Sequence, residues 1–126
     1  MAELAHQPEL ELLALARRPR TLYGRSGDAG PRVDLAPAAH EFTLDVRQLR
    51  GELLVDVEIC VDGYRWCSVA RWKVAAPCVE TSAEVDLGPL HHPIGAVPGR
   101  PAAAARAWFT IEGEATFGVR AREVRP

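Results

Sequence analysis

The chain has 126 residues, of which 48% are hydrophobic and 25% charged, and its formal net charge is −2. That is the size of one domain, large enough to bury a core without staples. The near-neutral balance excludes a global field that would draw it to nucleic acid or a membrane surface. No stretch approaches the roughly 18 apolar residues of a transmembrane helix.

The basic residues are 14 Arg and one Lys, and Arg suits planar contacts with carboxylates at interfaces. Residues 9 to 18, ELELLALARR, are good helix formers with Glu first and Arg last, bracketed by Pro8 and Pro19. They predict a short helix or arm with a thin apolar stripe at Leu10, Leu13 and Ala14. Residues 1–22 are read as this arm and 23–126 as a single domain. The leading segment carries Glu3, Glu9 and Glu11 through its apolar part and lacks a positive start, unlike a signal peptide. Synthesis in a cytoplasm with reduced thiols is therefore expected, and three cysteines, an odd number, do not make a disulfide framework.

A loop follows, with Gly24, Gly27, Gly30 and Pro31, whose spacing is not that of a phosphate-binding loop. From Arg32 onward the period is two. Phe42, Leu44 and Val46 alternate with Thr43, Asp45 and Arg47; Val55, Val57, Ile59 and Val61 alternate with Asp56, Glu58, Cys60 and Asp62. Ala83, Val85 and Leu87 make a third run, and two more strands are predicted on either side of Glu112-Gly113-Glu114. Short alternating strands with turn signals between them predict an all-β fold, an antiparallel β-sandwich of jelly-roll or Ig-like type. The Pro/Gly-rich segment 88–105 reads as a long loop with one helical turn at 101–105, and as the place for a functional insertion.

Asp62-Gly63 marks a hairpin. A four-residue loop pairs Val61 with Trp66, sets Val57 by Ala70 and Val55 by Trp72, and places Asp56 opposite Arg71 and Cys60 opposite Cys67. That register is preferred because it matches charges and leaves an unbroken apolar inner face. Cys60 and Cys67 are then thiols on a sheet flank; a metal would need further ligands that the spacing does not supply. Trp66, Trp72, Phe42 and Phe117 are read as core anchors.

No set of residues assembles an acid, a base and a nucleophile, so an enzyme is not expected, nor a cofactor or a metal site. His91-His92 beside Pro93 reads as a solvated loop pair. The Arg residues 106, 120, 122 and 125 are diluted by Glu112, Glu114 and Glu123, which gives no case for nucleic acid.

The sequence of segments LLALARRPRT, Val33-Asp34-Leu35, FTLDV (42–46), Asp62-Gly63-Tyr64-Arg65-Trp66 and ARAWFTIEGEATFGV (105–119) resembles small β-sandwich virion accessory proteins of tailed bacteriophages and prophages. The likeness runs from about residue 12 to 119. This chain departs from them in being Arg/Ala-rich, in its three Cys and in the 88–105 segment. The resemblance implies a non-enzymatic virion component assembled in the bacterial cytoplasm, first of all a capsid decoration protein and next a tail or head–tail accessory part. Its implied partners are other copies of itself and a major capsid or tail protein, with no membrane. The expected contact residues are Leu10, Leu13, Arg17, Arg18, Arg20, His91, His92 and Arg100, with Arg17, Arg18 and Arg20 pairing with acidic groups on the partner. The competing class is a carbohydrate-binding sandwich, which would require Tyr23, Tyr64 and Trp108 to be exposed together.

Overall fold

A computed structural model describes residues 9–19, 28–36, 38–60, 65–87 and 103–124. Eight strands occur among them: β1 (Glu9–Pro19), β2 (Asp28–Ala29), β3 (Val33–Leu35), β4 (Ala39–Cys60), β5 (Cys67–Val74), β6 (Cys78–Thr81), β7 (Val85–Asp86) and β8 (Ala103–Glu123). Every pairing is antiparallel.

The frame is one long two-stranded ribbon. β4 and β8 stay paired from His40↔Glu123 through Gly51↔Gly113 to Cys60↔Ala104. The ends of the ribbon recruit different neighbours. The half around β4 39–50 adds β1 beside β8 and β6 and β7 beside β4. The half around β4 52–60 adds β2 and β3 beside β8 and β5 beside β4.

The two halves face each other. Phe109 and Phe117 both lie on β8, and eight residues of straight strand would separate them by about 26 Å. Their ring centroids are 5.4 Å apart, edge to face at 73°. The strand therefore folds back between them, and the sandwich is a single ribbon doubled over. The bend lies at Gly51 and Gly113, which face each other with φ of 89° and 123°. A Cβ on either would run into the backbone carbonyl of Glu112 or Arg50, so only glycine fits both positions.

The alternation read from the sequence places the core. Inward residues on β8 are odd-numbered: Ala105, Ala107, Phe109, Ile111, Ala115, Phe117, Val119 and Ala121 are all buried. On β4 the inward set switches from even (His40, Phe42, Leu44, Val46) to odd (Leu53, Val55, Val57, Ile59). A bulge between Val46 and Gln48 makes the switch, because one extra residue reverses the side to which a strand's side chains point. His40 is buried with them, its Nδ1–H donating to the Ala38 carbonyl at 2.9 Å.

Several expectations change. Residues 9–18 form a strand, not a helix. Helix propensity separates these residues by only a few tenths of a kcal/mol each, and an isolated helix of ten residues is marginal in water. Pairing with β8 satisfies the ladder and buries Leu12 and Leu13 at 0% and 5% exposure, worth about 1.5–3 kcal/mol per side chain. Tertiary burial wins. Residues 103–105, expected as a helical turn, open β8 with all three alanines buried. Glu112-Gly113-Glu114 does not separate two hairpin strands; β8 runs through it and bends. The strand expected over 82–88 shrinks to Val85–Asp86, and Cys78–Thr81 forms an edge strand that the alternation did not signal.

The hairpin register holds over its lower part: Asp56↔Arg71, Val57↔Ala70 and Val55↔Trp72 are all formed. It then slips by one at a bulge, giving Glu58↔Ser68 and Ile59↔Cys67. Cys60 is therefore not opposite Cys67; it is paired with Ala104 on β8 instead. The Val61–Trp66 closure lies outside the described residues, as do Tyr23 and Tyr64. None of the three cysteines is in a disulfide; Cys60 is buried, Cys67 exposed and Cys78 between.

Candidate functional site

The outward faces of the two halves carry different chemistry. On the β1 half the outer face is a ladder of ion pairs. Asp45, buried at 6% exposure, accepts two bonds from Arg47 at 2.8 and 3.0 Å and a longer one of 3.4 Å from Arg120. Arg120 also donates to Glu9 at 2.9 Å, which ties β1 to β8 and β4. Arg122 pairs with Glu41, and Arg17 with Glu114. The hydrogen bond from Arg47 is the main reason that the Asp45 carboxyl is held below its usual range; burial opposes it in part.

On the β5 half the outer face is a grid of three strands. Across it the rows are Lys73–Leu54–Thr110, Arg71–Asp56–Trp108 and Ser68–Glu58–Arg106, taken from β5, β4 and β8 in turn. The polar members follow from strand geometry: with Val55, Val57 and Ala107 committed to the core, their even-numbered neighbours face out. Arg106 donates to Glu58 at 2.9 Å. Its guanidinium carbon lies 3.9 Å from the centroid of the Trp66 ring and 5.2 Å from that of Trp108, so one cation spans two indoles. Asp56 accepts from the Ser68 hydroxyl at 2.5 Å. A shallow depression of about 230 Å³ opens in the middle of this grid, lined by Leu54, Asp56, Glu58, Arg71, Trp108 and Thr110 with Phe109 beneath.

One atom here is unusual. The Trp108 indole Nε1 is shielded from solvent and donates to no partner among the described residues. An indole nitrogen can only donate, and an unsatisfied buried donor costs about 1–3 kcal/mol. The indole needs an acceptor that the described residues do not supply.

The residues expected to contact a partner fall out unevenly. Leu13 is buried in the chain's own core and is not available to a neighbour. Leu10, 37% exposed, and Arg17 lie on β1, with Arg17 engaged by Glu114. Arg18 turns under the fold: its guanidinium carbon sits 5.6 Å from the Phe109 centroid and 5.3 Å from that of Phe117, bridging the two halves at the bend. Burial lowers its pKa, though a guanidinium stays charged. Arg20, His91, His92 and Arg100 lie outside the described residues. Of the four expected core anchors, Phe42 and Phe117 are fully buried and Trp72 packs half-buried against the core. Trp66 is a correction: it is half-exposed and is no part of the core cluster, its ring covered by Arg106. The bulge in β5 displaces it from the register that would have turned it inward.

The outer-face grid was not singled out from the sequence. Its signal was the alternation in Arg106-Ala107-Trp108-Phe109-Thr110, where small or apolar residues take one side and a cation, an indole and a hydroxyl take the other.

No family model matches the chain, and no curated protein matches it. Among solved structures, the chain is similar to a protein of the T13 viral particle of infectious bursal disease virus (IBDV), with a TM-score of 0.46 and 11% identity. It is also similar to a protein of the infectious bursal disease virus Gx strain, with a TM-score of 0.45 and 9% identity. Both alignments cover 94% of this chain but only 31% and 33% of the other, so the chain spans about a third of those proteins' length.

Proposed function

We propose that the protein is a non-enzymatic structural component of a virus particle, an accessory protein that sits on a repeated protein lattice, in the first place as a capsid decoration protein. The observation that carries this reading is where the phage-like segments fall. FTLDV is the inward-alternating start of β4, Val33-Asp34-Leu35 is β3, and ARAWFTIEGEATFGV is the bent centre of β8. The sequence pattern shared with virion sandwiches is thus the frame of the fold, including the Gly113 bend.

Two further features favour a structural role. Arg17, Arg120 and Arg122 of the β1 half pair across strands with Glu114, with Glu9 and Asp45, and with Glu41, which locks strands together rather than confronting a substrate. Among the described residues the exposed large apolar side chains, Leu10, Leu15 and Val79, belong to the same half, on the edge strands β1 and β6. They lie on the two opposite edges of that half, where neighbouring subunits would cover them. Both bulges of β1 lie along its own edge, which favours docking there through side chains over simple strand addition.

The reading is tested by adding purified protein to particles that lack it and measuring bound protein after sedimentation. Saturable binding that is weakened by Leu15→Glu and Val79→Glu, with each variant still folded by circular dichroism, is the expected result. Binding that never saturates, or that both variants retain in full, would reject a specific lattice site on this half.

A further inference from the structure

We propose that the outer-face depression around Trp108 binds a neutral saccharide. The position is separate from the apolar surface of the β1 half and adds an activity to the structural role.

The charge on the walls limits the ligand. Glu58 is neutralised by Arg106 at 2.9 Å, and Asp56 faces Arg71 across the β4–β5 pair. Asp56, Glu58 and Arg71 are the charged groups of the lining, and Arg106 pairs with Glu58, so a free anion meets two carboxylates while a free cation meets Arg71 and a Glu58 already neutralised. A neutral ligand with both donors and acceptors suits such a wall, since it gives hydrogen bonds to the carboxylates and takes them from the cations. Sugar hydroxyls do both.

The orphaned indole points the same way. The Trp108 Nε1 has no acceptor among the described residues, and Trp108 lines the depression, so a ligand hydroxyl or ring oxygen seated there would supply one. The depression, about 230 Å³, is below the roughly 300–1,000 Å³ of sites for drug-sized ligands. It suits a single sugar ring better than an extended chain. The arrangement is also held in place beforehand: Arg106 fixes both indoles, and Ser68 holds the Asp56 carboxylate at 2.5 Å. Groups already positioned lose little freedom on binding.

The test uses the full chain with 15N-labelled tryptophan, whose three indole N–H signals are resolved by NMR and assigned with Trp108→Phe. Probes are glucose, galactose, mannose, N-acetylglucosamine, N-acetylgalactosamine, fucose and rhamnose, with sialyllactose and citrate as anionic controls. At least one neutral sugar should move the Trp108 signal in a saturable way. Asp56→Ala and Arg71→Ala, both on the sheet surface, should each weaken that response by roughly tenfold or more while leaving the circular dichroism spectrum unchanged. The proposal is overturned if no neutral sugar moves the signal, if only the anions do, or if both variants respond as the parent does.

Discussion

Replacing Gly113 with alanine should break the bend on which the sandwich depends. At φ of 123° an L-residue carries a strain of about 1–3 kcal/mol. The new Cβ would also overlap the Arg50 carbonyl across the ladder. Relief requires the ribbon to open at its centre, with loss of one or two backbone hydrogen bonds worth about 1 kcal/mol each. The total is about 2–5 kcal/mol, against about 5–15 kcal/mol for a whole domain. At this length each kcal/mol lowers the melting temperature by about 3–5 °C, so a loss of about 6–25 °C is expected. Gly51→Ala, facing the Glu112 carbonyl at φ of 89°, should behave alike. Glu112→Ala, exposed at the same bend, should change stability by less than about 0.5 kcal/mol. Thermal unfolding followed by circular dichroism measures all three. If both glycine variants melt within two degrees of the parent, the bend does not rest on positive φ and the doubled ribbon is wrongly explained.

Four other outcomes follow from the same geometry. Asp45→Asn should cost roughly 1–3 kcal/mol at neutral pH. Because the native carboxyl titrates below its usual range, the contribution is fully present above the unfolded pKa near 3.9. It fades as pH falls through the folded value, so melting curves of parent and variant should converge in acid; a constant gap would count against the ion pair. Phe117→Ala should lose about 3–5 kcal/mol, and Trp66→Ala distinctly less because that ring is half-exposed; equal losses in denaturant titration would return Trp66 to the core. Thiol labelling of the native protein should modify exposed Cys67 first, Cys78 more slowly because burial and nearby carboxylates raise its pKa, and buried Cys60 last; early labelling of Cys60 would contradict its placement. Deleting residues 1–20 removes β1 and with it Leu12 and Leu13 from the core, so the truncated chain should lose its cooperative melt; a retained sharp transition would show β1 to be dispensable.

The sandwich was legible in the sequence because its core obeys a period of two over long runs, and a buried face enforces that period. The inward sets at Phe42–Val46 and Val55–Ile59 were visible as such. Their joining into one strand was not, since a bulge at Arg47 reverses the parity and imitates a break. Gly113 was read as a turn between two strands for a similar reason: a glycine flanked by glutamates signals a reversal, and the sequence does not say whether the chain reverses as a hairpin or bends a paired ribbon. The strand at 9–19 was hidden by its composition. Leu, Ala, Glu and Arg favour a helix by small local increments, and only the open edge of β8 reveals what outweighs them. The grid around Trp108 was missed because each of its members is an ordinary outward residue of its own strand; register alone brings Arg71, Asp56 and Trp108 into one row.

The structural role is tested most directly by the copy number of this protein in virus particles purified on a density gradient from cells that carry its gene, measured by quantitative mass spectrometry against the major capsid or tail protein. A component of a repeated lattice should band with the particles in a fixed, many-copy ratio that survives a second gradient. A protein that stays with the soluble fractions, or whose ratio falls to trace levels on the second gradient, would contradict the assignment.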